Sequence, residues 1–271
     1  MIPPAAAHAA RPWQPGIAIR LSFVFHLACL AAAVMRPHLW LWALAAIVAN
    51  HVVLGLIGMW PKSRMLGPNM LRLPEAAARR GEIALTFDDG PDPEITPQVL
   101  ELLDRYQAKA SFFCVGRRIA AHPDIVREIV RRGHSVENHS HRHSGFFGFL
   151  GLRSLRGEIT AAQTVITAVT GRSPAFFRSP MGIRNPFLDP VMAKLGLTYI
   201  SWTRRGFDTV AKNPQAVLRR LTRDLAAGDI LLLHDRRMRL VDPPVLEVLP
   251  LLLQNIAAAG LKPVSLPMAM R

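Results

Sequence analysis

The sequence predicts an α/β domain, a mainly parallel sheet with helices outside it that is closed as a barrel or left open, preceded by an N-terminal helical hairpin. Three observations carry the prediction for the domain. Seven short apolar runs recur after residue 81, at about 82–88, 110–115, 134–138, 175–178, 198–203, 229–234 and 262–266. Stretches with helical periodicity separate them, such as 96–106, 123–132, 155–169, 214–227 and 245–259. Gly133, Gly171, Gly196, Gly228 and Gly260 each follow a helical stretch, where a left-handed terminal residue closes a helix. Repeating strand and helix units in this order imply parallel neighbours and outer helices.

The hairpin is read from residues 1–60, expected to form a membrane region with two transmembrane helices. The stretch 17–35 is broken only by Arg20 and His26, and 39–60 holds only Asn50 and His51 as markedly polar residues. Each approaches the ~20 residues that cross a hydrocarbon core as a helix. Arg36-Pro37-His38 is a tight connector, and Trp40, Trp42 and Trp60 fall near the interfaces. Arg11 and Arg20 precede the hairpin and Lys62, Arg64 and Arg72 follow it, against Arg36 alone in the connector. The positive-inside tendency then puts both ends, and the domain after them, on the cytoplasmic side of a bacterial-type inner membrane. A secretory signal with Leu30-Ala31-Ala32-Ala33 as its cleavage site is the competitor, and a single spanning segment would place the domain outside.

Residues 61–80 read as a Pro-, Arg- and Met-containing linker without a clear period, and 81–271 as the catalytic domain. The first sixty residues carry three arginines and no acid, so most of the formal net charge of +14 belongs to the remainder. The basic residues are scattered and no stacking-aromatic motif lies among them, which argues against nucleic acid as a partner. Anionic headgroups or a phosphorylated substrate suit a membrane-attached basic protein better. Cys29 lies in the first apolar segment and Cys114 in a strand-like run, so a structural disulfide is not expected. His143 to Leu152 is too glycine-rich for a stable helix and too apolar for an ordinary exposed loop. It either packs under the barrel rim or forms a lid that touches lipid or an acyl-bearing substrate.

Chemistry-bearing residues collect at the strand ends. Thr86-Phe87-Asp88-Asp89-Gly90-Pro91-Asp92 delivers two acids to a turn. Adjacent strand residues point to opposite sides, so the two acids serve one site only if the chain bends sharply there. One could bind a metal while the other handles a proton; an acidic surface turn is the alternative. His139 and His143 are four apart, which on a helical turn stacks two imidazoles for one cation, with His141 facing outward or contacting substrate. Arg178 ends the run 175–178, and His234 ends Ile230-Leu231-Leu232-Leu233, where an imidazole could supply a proton near neutral pH. With Asp208 these residues all fall at or just after the carboxyl ends of predicted strands, the face that carries the active site in alternating barrels.

The order T-F-D-D-G-P, H-S-x-x-H, R-x-P, an Asp after a Trp-containing strand and L-L-L-H resembles the polysaccharide deacetylase family, carbohydrate esterase family 4. The match covers about residues 80–267 and leaves out the hairpin. The resemblance implies a distorted (β/α) barrel of about seven parallel strands and metal-dependent hydrolysis of an N-acyl group on an amino sugar. It makes Asp89, His139 and His143 the ligands of a divalent metal such as Zn2+, Asp88 the general base and Arg178 the group that holds it. His234 becomes the general acid and Asp208 the carboxylate that tunes it, while the Met181 amide stabilises the oxyanion and Leu232 lines the acyl pocket. The sequence departs from the family's fourth motif, with Arg205 where a second acid is common and Thr209 where a Trp is. Arg204 and Arg205 beside the cleft then favour an anionic substrate. The chemistry agrees, because an amide carbonyl is a poor electrophile that a Lewis acid both polarises and supplies with activated water.

These readings imply a membrane-anchored carbohydrate deacetylase acting on an amino-sugar glycan, either lipid-linked or membrane-proximal, with membrane lipid as a partner. An extracytoplasmic peptidoglycan or exopolysaccharide deacetylase is the second expectation, and a catalytically silent glycan- or lipid-binding protein the third.

Overall fold

A computed structural model describes residues 10–211, 213–237 and 244–271; the first nine residues of the expected membrane region lie outside them. Two long helices come first, α1 (Ile17–Met35) and α2 (Trp40–Met59), joined by a 3-10 turn at Pro37–Leu39. After the short α3 (Glu75–Arg79), strands and helices alternate. Their order is β1 (Glu82–Asp88), α4 (Ile95–Arg105), β2 (Ser111–Cys114), α5 (Gly116–Ala121), α6 (Pro123–Arg131), β3 (Ser135–Asn138) and α7 (Leu152–Thr170). Then come β4 (Phe176–Phe177), α8 (Leu188–Leu195), β5 (Thr198–Tyr199), β6 (Arg204–Arg205), α9 (Pro214–Thr222) and β7 (Ile230–His234). The chain finishes with α10 (Val245–Ala258), β8 (Lys262–Val264) and α11 (Leu266–Ala269).

All strand pairs are parallel, in the order β5-β4-β3-β2-β1-β7-β6, with β8 on the first residues of β1. The predicted distorted barrel is present as a half-barrel whose edges, β5 and β6, do not pair. Each of the seven apolar runs contains a strand. β6 is additional, because Arg204-Arg205 carries no apolar run to announce it. The stretch 61–80 helps fill the gap between the edges: Met70 bridges Ile200, and Leu73 N donates to Gly228 O.

Two-residue periodicity sorts the strands into a dry outer face and a chemically active inner one. Ile83, Leu85 and Phe87 of β1, Phe112 of β2 and Leu231 and Leu233 of β7 point outward, into the main core beneath α4 and α10. Thr86 and Asp88 of β1, Leu232 and His234 of β7 and Glu137 of β3 occupy the alternate, inward positions, and all are buried. Parallel registers then bring the strand tips level, with Asp88 opposite Phe113 on one side and His234 on the other. Gly171 and Gly196 close α7 and α8 in the left-handed conformation, with φ of 69° and 65°.

The hairpin stands outside this core. About a tenth of each helix is buried (11%), and Trp40, Trp42 and Trp60 are exposed, so these apolar helices are not core helices of the domain. Their length and composition suit a membrane span. Asn50 donates to Ser22 Oγ between the two helices (2.7 Å), which pairs the polar groups of two otherwise apolar surfaces. The domain end of the hairpin is fixed by contacts: Ala18 N donates to Met65 O (3.1 Å), Arg184 N donates to Gly58 O (2.9 Å), and Leu66 packs on Ala18, Leu54 and Ile57. A Cβ at Gly58 would fall 2.1 Å from the Arg184 carbonyl oxygen, so only glycine permits that approach. Cys29 and Cys114 are both free and buried.

Candidate active site

The turn after β1 shows how two adjacent acids reach one cleft. Asp88 is the last strand residue, and Asp89 takes a left-handed backbone (φ 74°) that swings its carboxylate back toward the same side. Asp is among the few non-glycine types that enter this region readily. Asp92 secures the turn: Oδ1 accepts from Glu94 N and Ile95 N at the start of α4, and Oδ2 accepts from Arg237 N. Beneath it, Thr96 Oγ1 donates to Asp235 Oδ2 (2.6 Å), and burial pushes the Asp235 carboxyl up to about 7 against that hydrogen bond.

Arg178 is fully buried and spans the barrel axis. One Nη1 donates to Asp88 Oδ1 (2.7 Å) and to Thr86 Oγ1 (2.9 Å), Nη2 donates to Ser201 O (2.8 Å), and the guanidinium lies 4.2 Å above the Phe113 ring. A buried charge is tolerated only when paired and hydrogen-bonded in this way. The pair leaves Asp88 Oδ2 directed into the cleft, 3.9 Å from His139 Nε2.

Asp89, His139 and His143 converge, with one ligand atom from each lying within 4.8 Å of the others. The expected helical turn is absent. Ser140 and His143 both have positive φ (63° and 52°), Ser140 N donates to Asn138 Oδ1, and His143 N donates to Ser140 Oγ. These local side-chain bonds outcompete a helix, and the tight loop they close still brings the two rings to 5.0 Å. His139 Nδ1 lies 2.8 Å from Arg178 O. A carbonyl only accepts, so Nδ1 carries the hydrogen and Nε2 keeps its lone pair for the cleft. Asp89 Oδ1 is 3.4 Å from His139 Nε2 and 2.9 Å from His143 Nε2. Donors about 2.1 Å from a tetrahedral cation lie about 3.4 Å apart, so two imidazole nitrogens and one carboxylate oxygen at these separations fit a zinc-like ion. Burial disfavours the Asp89 carboxylate, yet the imidazoles of His139 and His143 beside it hold its carboxyl well below the usual carboxylate range. Burial likewise opposes charge on His139, and Asp88 and Asp89 reverse that effect.

On the other side of β1, Asp208 grips His234 twice. Oδ2 accepts from His234 N (2.7 Å) and Oδ1 lies 2.9 Å from Nδ1. Burial pulls the imidazole down, but the Asp208 charge and hydrogen bond, helped by Asp89 and Asp88, push it up to about 9.

The cleft between these groups has a volume of about 220 Å³ and is lined by Asp88, Asp89, His139, His143 and His234, together with Met181, Leu232 and Arg205. Arg178 and Asp208 stand behind it, touching the lining residues. Sequence reasoning missed Trp202, Gly182 and Arg236 as walls. Arg236 lies 3.8 Å from Asp89 Oδ2, and its place two residues past the β7 histidine was its only signal. Arg204 does not join Arg205 there. Successive strand residues face opposite sides, and Arg204 is committed to Asp229 Oδ2 (2.7 Å) and to Asp224 O. Arg205 faces the cleft, stacked against Trp202 (5.3 Å) and Phe207 (4.9 Å). His141 lies against Gly116 rather than in the cleft. The apolar loop divides its aromatics, with Phe147 buried and Phe146 and Phe149 exposed.

A parallel half-barrel with paired acids, an Asp/His/His cluster and a His/Asp pair at its carboxyl ends defines a hydrolase built around a metal-type site. The chain belongs to the polysaccharide deacetylase family, a family of carbohydrate deacetylases that hydrolyse non-peptide carbon–nitrogen bonds. The polysaccharide deacetylase family profile matches residues 75–200. The chain is 32% identical over 155 residues to a peptidoglycan-N-acetylglucosamine deacetylase of Bacillus cereus, covering 56% of this chain and 72% of that protein. It is also 32% identical to a chitooligosaccharide deacetylase of Azorhizobium caulinodans, covering 58% and 74%. Among solved structures it is similar to a family 4 carbohydrate esterase from Streptomyces lividans in complex with acetate, at 33% identity and a TM-score of 0.62, covering 68% of this chain and 91% of that one. The profile match ends before Asp208 and His234.

Proposed function

We propose that the protein removes an N-acyl group, an N-acetyl in the first instance, from an amino sugar of a lipid-linked or membrane-proximal glycan. The catalytic domain lies on the cytoplasmic side of the membrane. The observation that carries the reading is the convergence of three units on one cleft: Asp88 with Arg178, Asp89 with the two histidines, and His234 with Asp208. A binding module has no use for that set.

Asp89, His139 and His143 would hold a divalent cation, which would supply Lewis acidity toward the amide carbonyl and the attacking water. Arg178 occupies Oδ1 of Asp88, so Oδ2 takes the proton of the attacking water. Met181 has positive φ (56°), and its amide N–H has no partner among the described residues, which supports its role as the oxyanion donor. His234 presents Nε2 to the departing amine while Asp208 holds Nδ1 and keeps the ring charged for donation. Leu232, inward on β7, receives the acyl methyl, and Arg205 binds an anionic part of the substrate.

The membrane-proximal substrate is supported by the position of the cleft wall beside the end of α2. The test is incubation of the metal-loaded full-length protein with lipid-linked N-acetylhexosamines, followed by mass spectrometry. Loss of one acetyl mass is expected; its absence from every lipid-linked and free amino sugar tried would overturn the reading. The names of relatives acting on peptidoglycan favour a second reading, with the domain outside the cytoplasm. A C-terminal alkaline phosphatase fusion separates the two, since it is active only in the second.

A further inference from the structure

We infer that Phe146, Phe149 and Leu152 form a second membrane contact, inserted into the interface beside the hairpin, so that the catalytic cleft is held open at headgroup level. The inference rests on the hairpin spanning the bilayer and adds where the domain sits against it.

Three observations lead there. First, the domain overlaps the hairpin rather than hanging below it. α2 has 20 residues, about 30 Å of helix, which equals the hydrocarbon thickness. Leu54 is packed by Leu66 although it lies five residues before Met59, about 7 Å inside the helix end. The headgroup layer on one side of a bilayer is only about 5–8 Å deep. The domain surface at the level of Leu54 therefore lies within the interface or deeper.

Second, the apolar loop is tied to that level. Arg184 N bonds Gly58 O, and one residue on, Asn185 Nδ2 donates to Gly148 O (3.0 Å) and Leu150 O (2.8 Å). The loop cannot drift from the hairpin while those bonds hold. From it Phe149 projects 87% exposed, Phe146 74% and Leu152 49%. Three large apolar side chains left in water so close together have no folding rationale, because Phe147 and Leu150 supply the loop's packing on the core around Phe177.

Third, the flanking charge suits a lipid surface. No acid occurs between Asn138 and Gly157, and the exposed Arg153 and Arg156 follow Leu152 directly. An apolar tip with adjacent arginines is the pattern of an interfacial segment on anionic lipid.

The cleft belongs to the same edge. Gly182 forms part of its wall, and a Cβ there would lie 2.9 Å from Pro61 Cβ, two residues past Met59. Met181, exposed at the cleft mouth, is the neighbour of Gly182. Substrate therefore arrives from the membrane surface.

The test uses the full chain in vesicles of phosphatidylglycerol and phosphatidylethanolamine doped with two brominated phosphatidylcholines, one labelled near the headgroup and one near the chain end. An environment-sensitive fluorophore is attached in turn to Phe149→Cys, Val48→Cys on α2 and Glu101→Cys on α4; native Cys29 and Cys114 are buried. The expected result is blue-shifted, quenched emission at 149 and 48, and aqueous, unquenched emission at 101. Quenching at 48 with aqueous emission at 149 overturns the second contact and leaves the hairpin reading intact. Aqueous emission at both overturns the two together. A Phe146→Ser, Phe149→Ser variant is expected to lose quenching at a probe placed on Leu152→Cys; retained quenching there would also refute the insertion. None of these readouts depends on catalysis.

Discussion

Replacing Asp208 by Asn removes the charge that holds His234 protonated while leaving the volume of the site unchanged. In the intact site burial lowers the imidazole, and Asp208, then Asp89 and Asp88, raise it to about 9 from an ordinary 6.5. Without Asp208 burial is opposed only by Asp89 and Asp88, and His234 falls toward its ordinary 6.5, a change of up to about 2.5 units. At 1.36 kcal/mol per unit this is on the order of 3 kcal/mol, undiminished by solvent because the ring is buried. The sign follows from linkage. A folded pKa raised above the unfolded one stabilises the fold fully below about 6.5, and that contribution is lost as pH rises through about 9. Two assays read it. The rate of acyl release in the parent should fall on the alkaline side near pH 9, whereas in Asp208→Asn the fall should move down toward pH 6.5 with kcat lower by ~10²-fold or more. The thermal midpoint of the parent should decline across the same interval and that of the variant should not. An alkaline limb that stays in place in Asp208→Asn would refute the assignment of His234 as the proton donor tuned by Asp208.

The division of labour between the adjacent acids is tested by Asp89→Asn, which should lose zinc on dialysis, and Asp88→Asn, which should retain it and lose turnover; equal metal loss, measured by elemental analysis, would contradict the roles. Arg178→Met leaves Asp88 buried without its partner, an expected loss of about 3–5 kcal/mol. At roughly 2–4 °C per kcal/mol for a domain of this size, the thermal midpoint should drop by roughly 6–20 °C. Arg205→Ala should raise KM for a phosphate-linked sugar by ~10-fold or more and leave KM for a neutral amino sugar nearly unchanged, as steady-state kinetics with the two substrates would show.

Much of the site was legible because its residues sit where the strand period forces them. Asp88, Arg178 and His234 are terminal or next to terminal on apolar runs, and alternation alone turns Asp88 and His234 inward. What the sequence concealed depends on backbone dihedrals and long-range register. The Asp89 bend and the His139–His143 loop use left-handed residues that no period predicts, and the helical spacing argument reached the right pair of histidines through a conformation they do not adopt. β6 was illegible because two arginines have no strand signature, and their opposite fates, Arg204 to Asp229 and Arg205 to the cleft, emerge only from the register with Leu231 and Leu232. The packing of 61–80 was hidden for a related reason. Its contacts at Leu66, Met70 and Leu73 have the spacing of a helix face but come from non-helical backbone, each meeting a different element.

Arg205 shows why the departure from the family's pattern is coherent rather than a lost site. A carboxylate in its place would face the ring of Trp202 on a strand next to β7. A guanidinium instead gains from the faces of Trp202 and Phe207 and has no acidic partner among the described residues. Asp88, Asp89 and Asp208 are then matched by Arg178, Arg205 and Arg236, so the site is balanced before anything is added. A divalent cation at Asp89, His139 and His143, with the proton on His234, would make it strongly positive. On the proposed reading, an amino sugar attached to a lipid through phosphate would bring the compensating charge to that field.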